Sequence, residues 1–138
     1  MKWYDDQMSL IAKIESAAAA DVCIAPTVAE WRSLSPEARE RLLEDYNIRL
    51  TEQAELMPEG RPHGRVRSAA LDKLGQHFAR IGRRMYVASD LAVHYPGEPV
   101  FAPDIMAVLD VEDTGDDDDR MAWVVADEGK GLDFVLEI

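Results

Sequence analysis

The run from Phe101 to Val111, FAPDIMAVLDV, is apolar at odd and even positions alike. Successive side chains of a strand point to opposite faces, so this run makes a stable strand only where both faces are covered. The last seven residues, LDFVLEI from Leu132 to Ile138, have the same two-sided character. Two such runs require other elements layered over a sheet, and helical periodicity supplies one. Val66, Ala70, Leu74, Phe78 and Ile81 line one face of a helix that begins near Gly64, with Gly82 placed to end it in a left-handed conformation. Between helix and buried run, the period shortens to two in Met85 to Ser89 and Leu91 to Tyr95, and Pro96, Gly97, Glu98 and Pro99 form a turn. Met121 to Val125 reads as a further short strand, and Asp127 to Gly131 as the turn into the last one.

Upstream, Tyr4, Met8, Ile11, Ile14 and Ala18 recur at three- and four-residue steps and predict an amphipathic helix over the first twenty residues. Thr27 followed by Glu30, and Ser35 followed by Pro36, are helix-start patterns that predict two short helices. The stretch from Arg49 to Pro62, with Met57, Pro58 and Gly60, reads as a loop. The chain has 138 residues, 47% of them hydrophobic, enough for one core. These readings predict an α/β fold in which a helix packs on a mixed β-sheet, divided into an N-terminal helical extension and loop over residues 1–62 and a core over residues 63–138. The apolar runs are broken well short of the roughly 20 residues of a membrane span. The start of the chain lacks the basic and apolar regions of a signal peptide, and the lone Cys23 has no intramolecular disulfide partner. The expected setting is the cytoplasm, without membrane association.

The net charge of −12 opposes binding to a polyanion, but the distribution is uneven. Residues 61–84 hold seven basic side chains and one acidic, whereas residues 85–138 hold two and 14. Arg65, Arg67, Arg80, Arg83 and Arg84 form a basic island around the long helix, either a solvated face or a local contact for phosphates of DNA.

Two carboxylates interrupt the apolar strands. In the last run Asp133, Val135 and Glu137 point one way, and Leu132, Phe134, Leu136 and Ile138 the other, which sets Glu137 among core residues. Asp104 follows Pro103 at the start of the other run. A carboxylate in apolar surroundings must be protonated, paired or bound to a cation. If the two strands are neighbours, Asp104 and Glu137 can converge on one hard divalent ion, Mg2+ or Mn2+. The plainer alternatives are an Asp capping a turn and a terminal Glu reaching solvent. Asp116 to Asp119 lack the spacing of a calcium loop and read as a solvated loop. His77 and His94 have no partners at zinc-ligand spacing, Ser89 lacks a glycine-flanked elbow, and Cys23 sits in an alanine-rich apolar segment that favours packing.

The run GRRMYVASDLAVHYPGEPVFAPDIMAVLDV, residues 82–111, with GKGLDFVLEI, residues 129–138, resembles the Uma-two family, a restriction-endonuclease-like branch of the PD-(D/E)XK nucleases. The resemblance covers the half of the chain after Pro62. It implies a restriction-endonuclease-like core in which Pro103 and Asp104 supply the PD and Glu137 the second acid, with Asp104 and Glu137 as catalytic and metal-binding residues. His63 matches a histidine common at that place in the family and is expected to play a supporting role. The catalytic lysine of the superfamily has no counterpart, since only Ile138 follows Glu137. Lys130 is seven residues upstream, about 23 Å along an extended strand, too far to replace it. The expected function is therefore a metal-dependent DNA endonuclease, impaired by the missing lysine, and the resemblance implies a family member cut short of a further helix. The rival reading is a non-catalytic protein-interaction module on a degenerate nuclease fold. An unpaired terminal strand would also favour a homodimer.

Overall fold

A computed structural model of the chain describes the backbone of residues 22–55, 61–111 and 120–138. The expected helix over the first twenty residues and the aspartate run Asp116 to Asp119 lie outside them. Helix α1 (Val28–Ser33) opens with a reciprocal cap: the Thr27 hydroxyl accepts the Glu30 N–H, and the Thr27 N–H donates to the Glu30 carboxylate. Helix α2 (Pro36–Glu55) starts with Pro36, which has no N–H to leave unsatisfied, while the Ser35 hydroxyl accepts from the Ala38 N–H. Helix α3 spans Arg61–Arg80, and Gly82, at φ 68, follows its end.

Two expectations about these helices do not hold. The second is not short, and residues 49–55 continue it rather than forming a loop. RLTEQAE is rich in good helix formers, and Arg49 pairs with Asp45 one turn earlier at 2.8 Å. Helix α3 begins before Gly64 because Pro62 falls in its first turn, where proline is tolerated.

Strands β1 (Met85–Ala88), β3 (Ile105–Leu109) and β5 (Phe134–Leu136) form an antiparallel ladder in the order β1-β3-β5. Strands β2 (Ala92–His94) and β4 (Ala122–Val124) form a parallel pair. Both strand senses thus occur, but in separate ladders. A short helix α4 (Val125–Glu128) follows β4 directly and ends at Gly129 in the left-handed region, φ 71.

The β2–β4 pair is sandwiched. Ala92, Ala122 and Val124 on one face pack with Trp31, Leu34, Leu42 and Tyr46 of the helical segment. Val93 and Trp123 on the other face pack with Met106 and Val108 of β3. Burying each of these large side chains contributes roughly 1.5–3 kcal/mol, so α1 and α2 supply a substantial share of the core. Trp31 also donates its indole N–H to the Asp127 carboxylate at 2.6 Å, joining α1 to α4. The segment before α1 is bonded to the turn after β2: the Ala25 N–H donates to the Glu98 carbonyl, Gly97 to Ala25 and Val100 to Cys23.

Strand β3 fulfils the two-sided pattern, with Ile105, Met106, Ala107 and Val108 fully buried. The last strand does not. Val135, Leu136, Glu137 and Ile138 are exposed, because β5 lies at the edge of its ladder rather than in the middle. Helix α3 contacts the opposite edge, β1. Ala70, Leu74 and Phe78 of its apolar face are half-buried, while Val66 and Ile81 at the two ends are exposed.

Candidate active site

Strand pairing places Asp104 and Glu137 opposite one another. Ile105 pairs with Leu136 in the antiparallel ladder, so the next residues outward, Asp104 and Glu137, form the following cross-strand pair. Directly opposed side chains share a face, and the two carboxyl groups hydrogen-bond to each other. The Ile138 N–H donates to the Asp104 carboxylate at 2.7 Å, which fixes that group against β5. Partial shielding from water, then the negative charge of Asp104 and the hydrogen bond to it, push the Glu137 carboxyl above the usual range. Like charges held this close favour a shared proton or a cation between them.

Asp104 is half-buried, but Glu137 is exposed, so the expectation of two carboxylates enclosed by core fails for Glu137. The apolar spelling of LDFVLEI could not distinguish an edge strand from a central one.

A third acid, Asp90, was not singled out by sequence reasoning. Extending the β1–β3 register past Ala88 and Met106 brings Asp90 level with Asp104. The Asp90 N–H donates to the Pro103 carbonyl at 3.1 Å, and its charge adds to the upward shift of Glu137. Asp90 has φ 56, a left-handed conformation that Asp tolerates better than most residues. The legible signal was an aspartate at the break between two period-two runs. Among the described residues, no group of three or more His, Cys, Asp or Glu side chains is disposed to hold a metal ion, so the site offers the Asp104–Glu137 pair rather than a full ligand cage.

The basic island meets this row at Arg67. Arg67 reaches from α3 to an ion pair with Asp90, with only 12% of its side chain exposed. Arg83 pairs with Asp110 at 2.9 Å, at the other end of β3 from Asp104. That pairing holds the Asp110 carboxyl below its ordinary range and Arg83 above its own. Arg65, Arg80 and Arg84 are exposed. The side chain of His63 lies outside the described residues. Lys130 bonds to the Leu109 carbonyl and lies 3.6 Å from Asp133, at the far end of β3 from the acidic pair.

The remaining candidates are placed elsewhere. His77 is exposed and meets the Phe78 ring edge-on at 5.0 Å. His94 is buried, stacked on Tyr46 with ring centroids 5.7 Å apart, and burial pushes its pKa down to about 4. Neither of its ring nitrogens has a hydrogen-bond partner among the described residues. Cys23 is buried, and burial raises its thiol despite the adjacent Arg49. A cleft of about 340 Å³ opens between α1, α2 and β4. Four of its charged groups form two ion pairs, Arg39 with Asp127 and Arg120 with Glu128.

No family model matches the chain, and no curated protein or solved structure matches it either. Among the described residues, no helix is long and apolar enough to cross a membrane.

Proposed function

We propose that Asp104 and Glu137 hold a divalent cation, magnesium or manganese, and that the chain is a metal-dependent DNA endonuclease of the PD-(D/E)XK type. The observation that carries this reading is the cross-strand carboxyl pair at the Pro103–Asp104 position, where two acids face each other and share a hydrogen bond. A hard divalent ion takes one or two carboxylates and completes its shell with water and substrate phosphate, which suits a pair rather than a cage. When bound, it would supply Lewis-acid activation of water and neutralise charge on the phosphoryl oxygens. The chain's own residues would do the rest. The Ile138 N–H orients the Asp104 carboxylate, β3 and β5 fix the separation of the two acids, and the basic island would draw DNA phosphates toward the chain. The resemblance of residues 82–111 and 129–138 to the Uma-two family points the same way.

The reading is tested by metal-dependent melting and by plasmid nicking. Manganese should raise the melting temperature of the wild type, and Asp104→Asn or Glu137→Gln should abolish the rise. Any nicking of plasmid DNA should disappear in the same variants. A wild type whose melting temperature ignores manganese, or variants that respond equally, would refute the reading.

The second reading, a protein-interaction module, draws on the exposed β5 edge with Val135, Leu136 and Ile138. Such an edge invites pairing with another strand, and a second copy of the chain is one such partner. Size-exclusion chromatography at several concentrations tests it, and a strictly monomeric protein would remove the homodimer.

A further inference from the structure

Of the five arginines in the basic island, Arg67 alone is shown beside the acidic row, and its partner is an acid of that row. The other pairing of the island, Arg83 with Asp110, lies at the far end of β3. Arg67 leaves α3 with its side chain 12% exposed, whereas the Asp90 side chain remains 58% exposed. The buried member of the pair is thus the cation, and the exposed member is an anion that solvent and solutes can reach. Asp90 is held in a left-handed conformation by its bond to Pro103, next to Asp104. A non-glycine residue in that region costs free energy and persists only where its surroundings impose it.

Resting on the reading of Asp104 and Glu137 as the metal pair, we propose that Arg67 and Asp90 form an exchangeable ion pair through which the site receives one phosphate of the DNA backbone. The Asp90 carboxylate occupies the Arg67 guanidinium until a phosphodiester takes its place. The planar guanidinium suits either anion, since it can present two parallel N–H donors to a carboxylate or a phosphate. Asp90 therefore acts as a substrate mimic that neutralises Arg67 while the site is empty of DNA. Displacing it costs affinity, and removing its charge should restore that affinity.

The test is DNA binding in EDTA, which leaves the metal pair out of the measurement. Binding of the full chain to a fluorescent duplex is followed by anisotropy over a range of salt concentrations. Asp90→Asn should tighten binding about tenfold, the scale of one charge-assisted hydrogen-bonded contact. Removing Arg67 from that variant should flatten the dependence of log affinity on log salt by about 0.9, as expected for the loss of one phosphate contact. Asp72→Asn, which removes an exposed acid on the helix that carries Arg67, measures the effect of net charge alone and should give a smaller gain. Arg67→Ala placed on Asp90→Asn should cancel the gain, with melting curves and circular dichroism showing that the double variant is folded. Arg67→Gln serves where the alanine variant fails to fold.

The proposal is overturned if Asp90→Asn gains no more than Asp72→Asn, or if the gain survives loss of Arg67. It is also overturned if millimolar inorganic phosphate stabilises the wild type through Arg67 while the duplex shows no such dependence, because the pair then serves a free anion. Loss of manganese stabilisation in Asp104→Asn without any effect of Asp90→Asn on DNA binding would leave the metal reading standing and remove only this inference. The reverse pattern would remove the metal reading alone.

Discussion

Between pH 7 and pH 5, where ordinary carboxylates stay ionised, acid should destabilise this protein chiefly through His94. The imidazole is 2% exposed, lies at the end of β2, and has neither nitrogen bonded among the described residues. Its folded pKa of about 4 is depressed from 6.5 by burial. Above pH 6.5 the ring is neutral in both states and the contribution to stability is complete. As pH falls below that value the unfolded chain takes up a proton that the folded chain refuses, and stability is lost until both states are charged below about 4. Linkage across this window gives a loss of about 2 kcal/mol by pH 5, approaching about 3 kcal/mol at pH 4. Glu137 acts in the opposite sense, because its raised folded pKa means that protonation favours the folded state. The comparison must therefore be with a variant that keeps Glu137. His94→Phe retains a flat ring over Tyr46 and removes the titration. Urea unfolding followed by tryptophan fluorescence from pH 7 to pH 4.5 gives both stability curves. The wild type should lose about 2 kcal/mol more than His94→Phe between pH 7 and pH 5. Parallel curves over that interval would refute the reasoning, whatever the absolute stability of the variant.

Three further outcomes follow from single contacts. In EDTA, Glu137→Gln should melt higher than the wild type at pH 7, where the paired charges repel, and the advantage should shrink as pH falls, because the raised folded pKa of Glu137 means that protonation relieves the repulsion. Tyr46→Phe removes the 2.7 Å bond from the phenol to the Ile24 carbonyl and should cost about 1 kcal/mol in urea unfolding. Gly131→Ala would place a Cβ 2.8 Å from the Tyr95 hydroxyl, which itself accepts the Leu132 N–H, and should lower stability by about 1–3 kcal/mol on the same measurement.

The parts of the fold that were legible in the sequence are those governed by local rules. The Thr27–Glu30 and Ser35–Pro36 starts, the turn at Gly97 and the two-sided burial of Ile105 to Val108 each follow from a few adjacent residues. What was not legible depends on neighbours distant in sequence. Nothing within LDFVLEI marks it as an edge strand, because edge or centre is decided by which other strands pair beside it. Nor does the spelling of the first helices say that Trp31 and Tyr46 close over β2 and β4. At the site, two interrupted apolar runs allowed an Asp104–Glu137 juxtaposition only if their strands were neighbours, and it is the register of β3 with β5 that brings the two acids together. Asp90 escaped notice because its place beside Asp104 comes from a third strand and a left-handed backbone angle, neither of which has a spelling of its own.

The bonds joining Cys23 and Ala25 to Gly97, Glu98 and Val100 have a kinetic consequence. They close a loop of roughly 75 residues, a non-local contact of the kind that slows folding. During synthesis at about 5–20 residues per second, α1 and α2 would wait roughly 4–15 s for the strands that cover them. Until then Trp31, Leu42 and Tyr46 present an uncovered apolar surface on the ribosome, and a nascent chain of this protein is a natural client for a holding chaperone.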